Sequence, residues 1–342
     1  MGNKKSTLKT HSHEDTDESD SDDEERKVIL EIAEREYCED VEFLCQDCEK
    51  CCDLYGSELI PVEDLSLCHL PVALRSQQVL DYILTQEKIA VKLEVKKITG
   101  NSKFVDASGW ACVSEDSAVE YAVCPIENCP VNEGNSHKAY GGITVFTNEH
   151  VVTKKEEGVN CKVTFFYDGR GNVQDKETVQ AQEDVSDNPR LYASDLLKLT
   201  RSCIDGVAWG LCVKQVRENK DLVAIEIIYH DVNLFKVIAA SSVQRLNAWT
   251  QIPEALKKVM KEHVIVISHP HGRRKVVSVG KLICLEEGTQ EEKLKKETRY
   301  LAATCKGSSG APVISGHYPY RPFTHSSKLD GKTGFENFSL SY

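Results

Sequence analysis

A mainly β protein, its many short strands forming a barrel or sandwich behind a helical N-terminal region, is the fold class this sequence predicts. Three observations point there. Residues 88–98 alternate apolar and charged side chains, the period of a half-buried strand. Short apolar runs follow at 109–113, 142–146, 159–167, 222–229, 263–268, 275–284 and 311–315, with Gly, Asn, Asp and Pro between them. Residues 27–54 instead space Val28, Ile29, Ile32, Ala33, Val41, Leu44 and Cys45 by threes and fours, as an amphipathic helix does.

The elements divide the chain into three parts. Residues 1–26 form an acidic tail in which nine carboxylates lie between Glu14 and Glu25; residues 10–26 offer no apolar side chains from which a core could form, so this tail is expected to be disordered. Residues 27–87 read as a helical, Cys-rich region, with a second helix over 72–85 after Pro71. Residues 88–342 carry the strands and form the main domain. Two helical interruptions are expected there. One spans about 193–216, where Leu196, Leu197, Cys203, Ile204, Val207, Ala208, Leu211 and Cys212 share a face, and a shorter one spans 253–263.

Composition narrows the function. The net charge is −12, and the one basic stretch is Arg273-Arg274-Lys275, which argues against binding nucleic acid. No apolar run approaches the roughly 20 residues of a spanning helix, and no apolar segment marks a secretory signal. The 14 cysteines are irregularly spaced in a large chain, which fits a reduced, cytoplasmic setting with most thiols packed as small apolar groups. Met1-Gly2-Asn3-Lys4-Lys5-Ser6 matches the N-myristoylation pattern. Gly2 would carry the acyl chain. A single chain binds membrane marginally, so contact with the inner leaflet would be peripheral and reversible.

The chemistry concentrates near the C-terminus, in Thr304-Cys305-Lys306-Gly307-Ser308-Ser309-Gly310-Ala311-Pro312. GSSGAP resembles the nucleophile loop of chymotrypsin-fold, trypsin-like serine peptidases. Upstream, Thr147-Asn148-Glu149-His150-Val151-Val152 closes a β-rich run and resembles the segment that carries the catalytic His in the same family, high-temperature-requirement-type peptidases included. His150 precedes Ser309 by 159 residues, the family's order.

That resemblance covers about residues 88–342 and implies a two-barrel, chymotrypsin-like fold, with protein or peptide substrates and neither cofactor nor metal. It implies that Ser309 attacks the peptide carbonyl, that His150 acts as general base, and that the N–H groups of Gly307 and Ser309 form an oxyanion hole. The family places an Asp before a strand between His and Ser. Asp187, ahead of 189–193, ranks first and Asp195 second; Asp168 comes early and Asp205 falls within the expected helix. Ser308 stands where cleavage-activated trypsins have Asp, and the chain lacks their I-V-G-G start, so activation by that cleavage is not expected. His325, 16 residues after Ser309, matches in position the His that binds Glu or Gln side chains in glutamyl endopeptidases and picornaviral main proteases. The alternative reading is a peptidase fold without activity, used as an interaction module at membranes.

Two cysteine groups invite a metal reading. Cys45, Cys48 and Cys52 share one helical face, which helix packing explains. Cys124 and Cys129 form a knuckle-like pair, but a metal there would need two further ligands from elsewhere, and the pair reads as packed thiols. His269 and His271 flank Pro270 in a turn and read as hairpin chemistry.

Overall fold

The computed structural model describes residues 58–98, 103–113, 118–127, 129, 131, 137–159, 161–167, 206–217, 221–285, 296–326 and 337–341. They lie within one unit, Cys38–Tyr342. The acidic tail with Gly2, the expected helix at 27–54, Asp187 and Asp195 fall outside the described residues.

The strands form two antiparallel sheets, each closed on itself. The first contains β2 (Ala90–Lys96), β3 (Phe104–Val113), β4 (Val119–Tyr121), β5 (Ala139–Thr147), β6 (Lys162–Thr164), β7 (Val207–Arg217) and β8 (Leu222–Tyr229). Their order is β3-β2-β6-β7-β8-β5-β4, and β3 also pairs with β5, which closes a six-stranded barrel with β4 on its rim. The second contains β1 (Ile60–Pro61), β9 (His263–Ser268), β10 (Val276–Leu285), β11 (Lys296–Tyr300), β12 (Pro312–Ser315), β13 (Phe323–Ser326) and β14 (Asn337–Ser341). Its order is β1-β10-β11-β14-β13-β12-β9, closed by β9–β10. Two six-stranded barrels in sequence are the chymotrypsin-like architecture expected above.

Alternation explains the cores. Successive strand side chains point to opposite faces, so Val91, Leu93 and Val95, Ile143 and Val145, and Val223, Ile225, Ile227 and Tyr229 all enter the first barrel. Val264 and Val266, Tyr300 and Ala302, and Ala311 and Val313 fill the second.

Helices are few. α1 (Gln77–Gln86) follows a 3₁₀ turn at Val72–Leu74, so the expected helix at 72–85 starts later. α2 (Lys155–Gly158) is one turn. α3 (Val232–Gln251) joins the barrels, and α4 (Glu254–Met260) fills the short helix expected at 253–263. The sequence reading missed α3 although its signals are present. The Asp231 side chain caps it by accepting the Asn233 N–H at 2.9 Å, and Leu234, Val237, Ile238, Ser241, Arg245 and Trp249 recur by threes and fours on its buried face. Tyr82 of α1 meets Trp249 of α3 at 5.3 Å between ring centroids.

The helix expected over 193–216 is overturned for residues 207–216, which belong to β7. Its apolar residues fit both periods, and the ladders decide. β7 pairs with β6 on one side and β8 on the other, so its backbone groups are satisfied across strands.

Candidate active site

Register brings His150 to an acid that the sequence reading did not rank. β5 and β8 run antiparallel with Thr147 opposite Val223, so the end of β5 and the start of β8 meet at one edge of the first barrel. His150 lies three residues beyond Thr147, and Asp221 two residues before Val223. Asp221 Oδ2 stands 2.7 Å from His150 Nδ1, and Oδ1 accepts the His150 N–H at 3.0 Å. The Ser326 hydroxyl donates to Oδ2 at 2.5 Å, and Asn148 Nδ2 donates to the Asp221 carbonyl at 2.9 Å. Burial alone would push the Asp221 carboxyl up. The hydrogen bonds from His150 and Ser326 outweigh it and hold the group below its ordinary value. Asp221 has φ of 45°, a left-handed conformation that Asp accepts more readily than most residues.

Among the described residues, the carboxylate at the imidazole is thus Asp221. A usable signal for it was present: Asp221 immediately precedes the strand-like run 222–229, as the family's acid should. The helical spacing of 207–212 masks the strand that leads to Asp221.

The loop that carries Ser309 is held from both barrels. Ser308 is fully buried, accepts the Cys305 N–H at 3.2 Å and donates to Ser268 Oγ at 3.1 Å. Ser309 is half-buried, and its carbonyl accepts the Ser108 N–H at 2.9 Å. Ser108, on β3, was not singled out from sequence. Its hydroxyl also donates to the Gly307 carbonyl at 2.8 Å and accepts the His269 N–H at 2.9 Å, so one residue of the first barrel holds two carbonyls of the loop. A Cβ on Gly310 would lie 2.1 Å from the Ser108 carbonyl oxygen and 2.3 Å from Thr147 Oγ1, so glycine there lets the Ser309 turn close on the strand that leads to His150.

The loop's peptide groups have defined orientations. The Lys306 carbonyl accepts the His271 N–H at 2.7 Å, and the Ser308 carbonyl accepts the Ala311 N–H at 3.0 Å. A trans peptide points its N–H opposite its C=O, so the N–H groups of Gly307 and Ser309 face away from these partners. Gly307 has φ of 93°, and a Cβ there would lie 2.7 Å from the His271 nitrogen. The turn read from sequence as hairpin chemistry therefore does more: Pro270–Gly272 form a 3₁₀ turn that braces the loop, with His271 Nε2 also 3.1 Å from Cys305 Sγ. His269 is fully buried; burial and the nearby Lys275 charge hold its pKa down to about 3, and its Nδ1 lies 3.1 Å from the Arg273 carbonyl oxygen.

His325 lies on β13 beside the loop. It is 1% exposed, and its main chain joins β13 to the loop by accepting the Gly310 N–H at 2.9 Å and donating to the Ala311 carbonyl at 2.8 Å. Its Nδ1 is 2.6 Å from the Tyr300 hydroxyl. Tyr300 is fully buried, and burial pushes its hydroxyl well above the ordinary tyrosine range, so it remains protonated.

A family model described as trypsin-like peptidase domain matches residues 135–318, a span that contains His150, Asp221 and Ser309. No curated protein matches the sequence significantly. Solved structures with a similar fold are remote. The active form of the Rv3671c protease from M. tuberculosis is 11% identical with a TM-score of 0.40, over 76% of this chain and 78% of that one. The HtrA-type protease AlgW with tripeptide is 10% identical at 0.39, over 76% of this chain and 58% of that one. Deg5 is 12% identical at 0.39, over 77% and 88%. Among the described residues no helix is long and apolar enough to cross a membrane.

Proposed function

The chain belongs to the trypsin-like peptidase domain family, and from that premise we propose that it is a serine endopeptidase with Ser309 as nucleophile, His150 as general base and Asp221 as the orienting carboxylate. The observation that carries this reading is the 2.7 Å contact between Asp221 Oδ2 and His150 Nδ1, in a chain that also presents a GSSGAP loop. Asp221 keeps the proton on Nδ1, which leaves the Nε2 lone pair for the Ser309 hydroxyl. Ser309 Oγ attacks the scissile carbonyl carbon while its proton passes to Nε2. The carbonyl oxygen becomes an oxyanion that accepts from the Gly307 and Ser309 N–H groups. His150 then protonates the departing amine, and water, deprotonated by the same imidazole, releases the acyl group from Ser309.

Specificity for Glu or Gln at the residue preceding the cut follows from His325. A protonated Tyr300 hydroxyl that donates to Nδ1 places the imidazole proton on Nε2, and a neutral N–H suits the side-chain oxygen of Gln or Glu. Gly2 acylation, with Lys4, Lys5 and Lys9 near an anionic leaflet, would give the enzyme a reversible membrane address. The alternative, a peptidase fold kept only as a binding scaffold, is favoured where no acid meets the imidazole, and the Asp221 contact counts against it.

Reaction with a fluorophosphonate probe tests the reading. The wild-type chain should label at Ser309 and Ser309→Ala should not; a folded wild type that never labels would sink the enzyme reading. A peptide library should then show cleavage after Glu or Gln that Tyr300→Phe weakens selectively in KM.

A further inference from the structure

Strand β8 ends in a second constellation of reactive side chains, far from Asp221. β4 and β5 pair with Tyr121 opposite Ala139, and 17 residues of sequence separate these two. This loop carries Cys124, Cys129 and His137, and it folds back through the Cys124 N–H, which donates to the His137 carbonyl at 2.8 Å. His230 follows β8 immediately. One ligand atom from each of these four residues lies within 4.8 Å of all the others. His137 Nε2 and His230 Nε2 are 3.1 Å apart, and Cys129 Sγ is 3.5 Å from His230 Nε2. The two ligands that the Cys124–Cys129 pair lacked in the sequence reading are therefore supplied by the fold.

We propose that Cys124, Cys129, His137 and His230 bind a structural zinc ion. A tetrahedral site with Zn–N of about 2.0–2.1 Å and Zn–S of about 2.3 Å separates two nitrogens by about 3.3 Å and a nitrogen from a sulfur by about 3.6 Å. The two distances here match those edges to within about 0.2 Å. Two thiolates and two imidazoles are a donor set that favours zinc among the common divalent ions. The surroundings suit a closed site: Ile126, Ala139, Trp209 and Ile228 pack as one buried cluster, and the Trp209 and His230 rings meet in a T-shape at 5.6 Å between centroids. Four protein ligands leave no open position for water or substrate. β8 also separates His230 from Asp221 by eight residues, or roughly 25–30 Å of strand. The ion would thus staple a long loop to the barrel and take no part in the chemistry at Ser309, and the assignment is independent of the peptidase reading.

Zinc content of the full-length chain, purified under reducing conditions, is the test. Because Cys45, Cys48 and Cys52 add thiols elsewhere, the readout is a difference. Cys129→Ser and His230→Gln should each lose one zinc per chain relative to wild type, and Cys212→Ser, on β7, should lose none. If either ligand variant proves insoluble, His137→Gln on the loop serves in its place. Replacement of the zinc by Co²⁺ in the wild type should also give the absorption of a tetrahedral site with thiolate ligands. Chelation should lower the thermal midpoint by several degrees. Zinc content equal in wild type and ligand variants would overturn the proposal, and so would a Cys124–Cys129 disulfide in the protein as isolated.

Discussion

The two barrels share one plan and differ in what they bring to the site. The first contributes side chains: His150 and Asp221, set at neighbouring strand ends by the pairing of β5 and β8. The second contributes a backbone shape: a loop whose carbonyls at Lys306, Gly307 and Ser308 are all engaged, leaving the Gly307 and Ser309 N–H groups turned away. One barrel should therefore be sensitive to chemical identity at constant shape, the other to shape at constant chemistry. Ser326, also on the second barrel, supports Asp221 by a side-chain hydrogen bond, and Ser309 is the exception that supplies the proposed reactive group.

The largest effect should come from that exception. Ser309→Ala removes one oxygen and keeps the main-chain bond from Ser108, so the fold should be unchanged by circular dichroism while turnover falls by about 10⁶-fold. Asp221→Asn should come next, at about 10⁴-fold in the fluorophosphonate labelling rate, because Asn can hold the imidazole in the wrong tautomer. Asn also tolerates the left-handed backbone at 221, so the thermal midpoint should stay within a few degrees. A large drop in stability here would mean that the first barrel, too, depends on shape at this position.

Gly307→Ala sharpens the contrast from the other side. It changes no reactive atom, yet a Cβ at φ of 93° would press on the His271 nitrogen. The loop must shift, and loss of one oxyanion donor should lower labelling by about 10²–10³-fold, with a lower thermal midpoint. If activity survives, the Gly307 N–H is not part of the hole.

How legible this was from sequence follows the same division. His150 and the Ser309 loop are local motifs, and each could be read where it stands. The barrels were legible as strands because alternation at 88–98 and a short apolar run at 263–268 are local properties. Asp221 was not, although it sits ahead of a recognised strand, because its role depends on the register between β5 and β8. β7 was not legible either, because Val207, Ala208, Leu211 and Cys212 satisfy a helical spacing as well, and only pairing with the flanking strands decides. Ser108, His271 and the pairing of His137 with His230 are long-range coincidences that no short window of sequence contains.

The smallest effect on catalysis, and a clear one on stability, belongs to Glu157, which anchors the chain just after His150. Its side chain is fully buried, and Oε2 accepts from Lys97 Nζ at 2.9 Å, from the Thr153 N–H at 2.9 Å and from the Thr153 hydroxyl at 2.8 Å. Lys97 also donates to the Val151 carbonyl at 2.7 Å. Burial acts to raise the Glu157 pKa, but the hydrogen bonds from Lys97 and Thr153 prevail and bring it down to about 2, against an ordinary 4.5. A folded-state pKa below the unfolded one means that ionised Glu157 stabilises the protein fully above pH 4.5, and that this contribution fades as the pH falls toward 2. Glu157→Gln should cost about 3 kcal/mol at neutral pH, because the Lys97 ammonium loses its buried partner. In urea titrations the gap between wild type and variant should narrow steadily below pH 4.5. A gap of constant size across that range would show that Glu157 acts through packing rather than through its charge. Labelling of the folded variant should fall only a few-fold, since Asp221, itself held by Asn148, holds His150 from the other side.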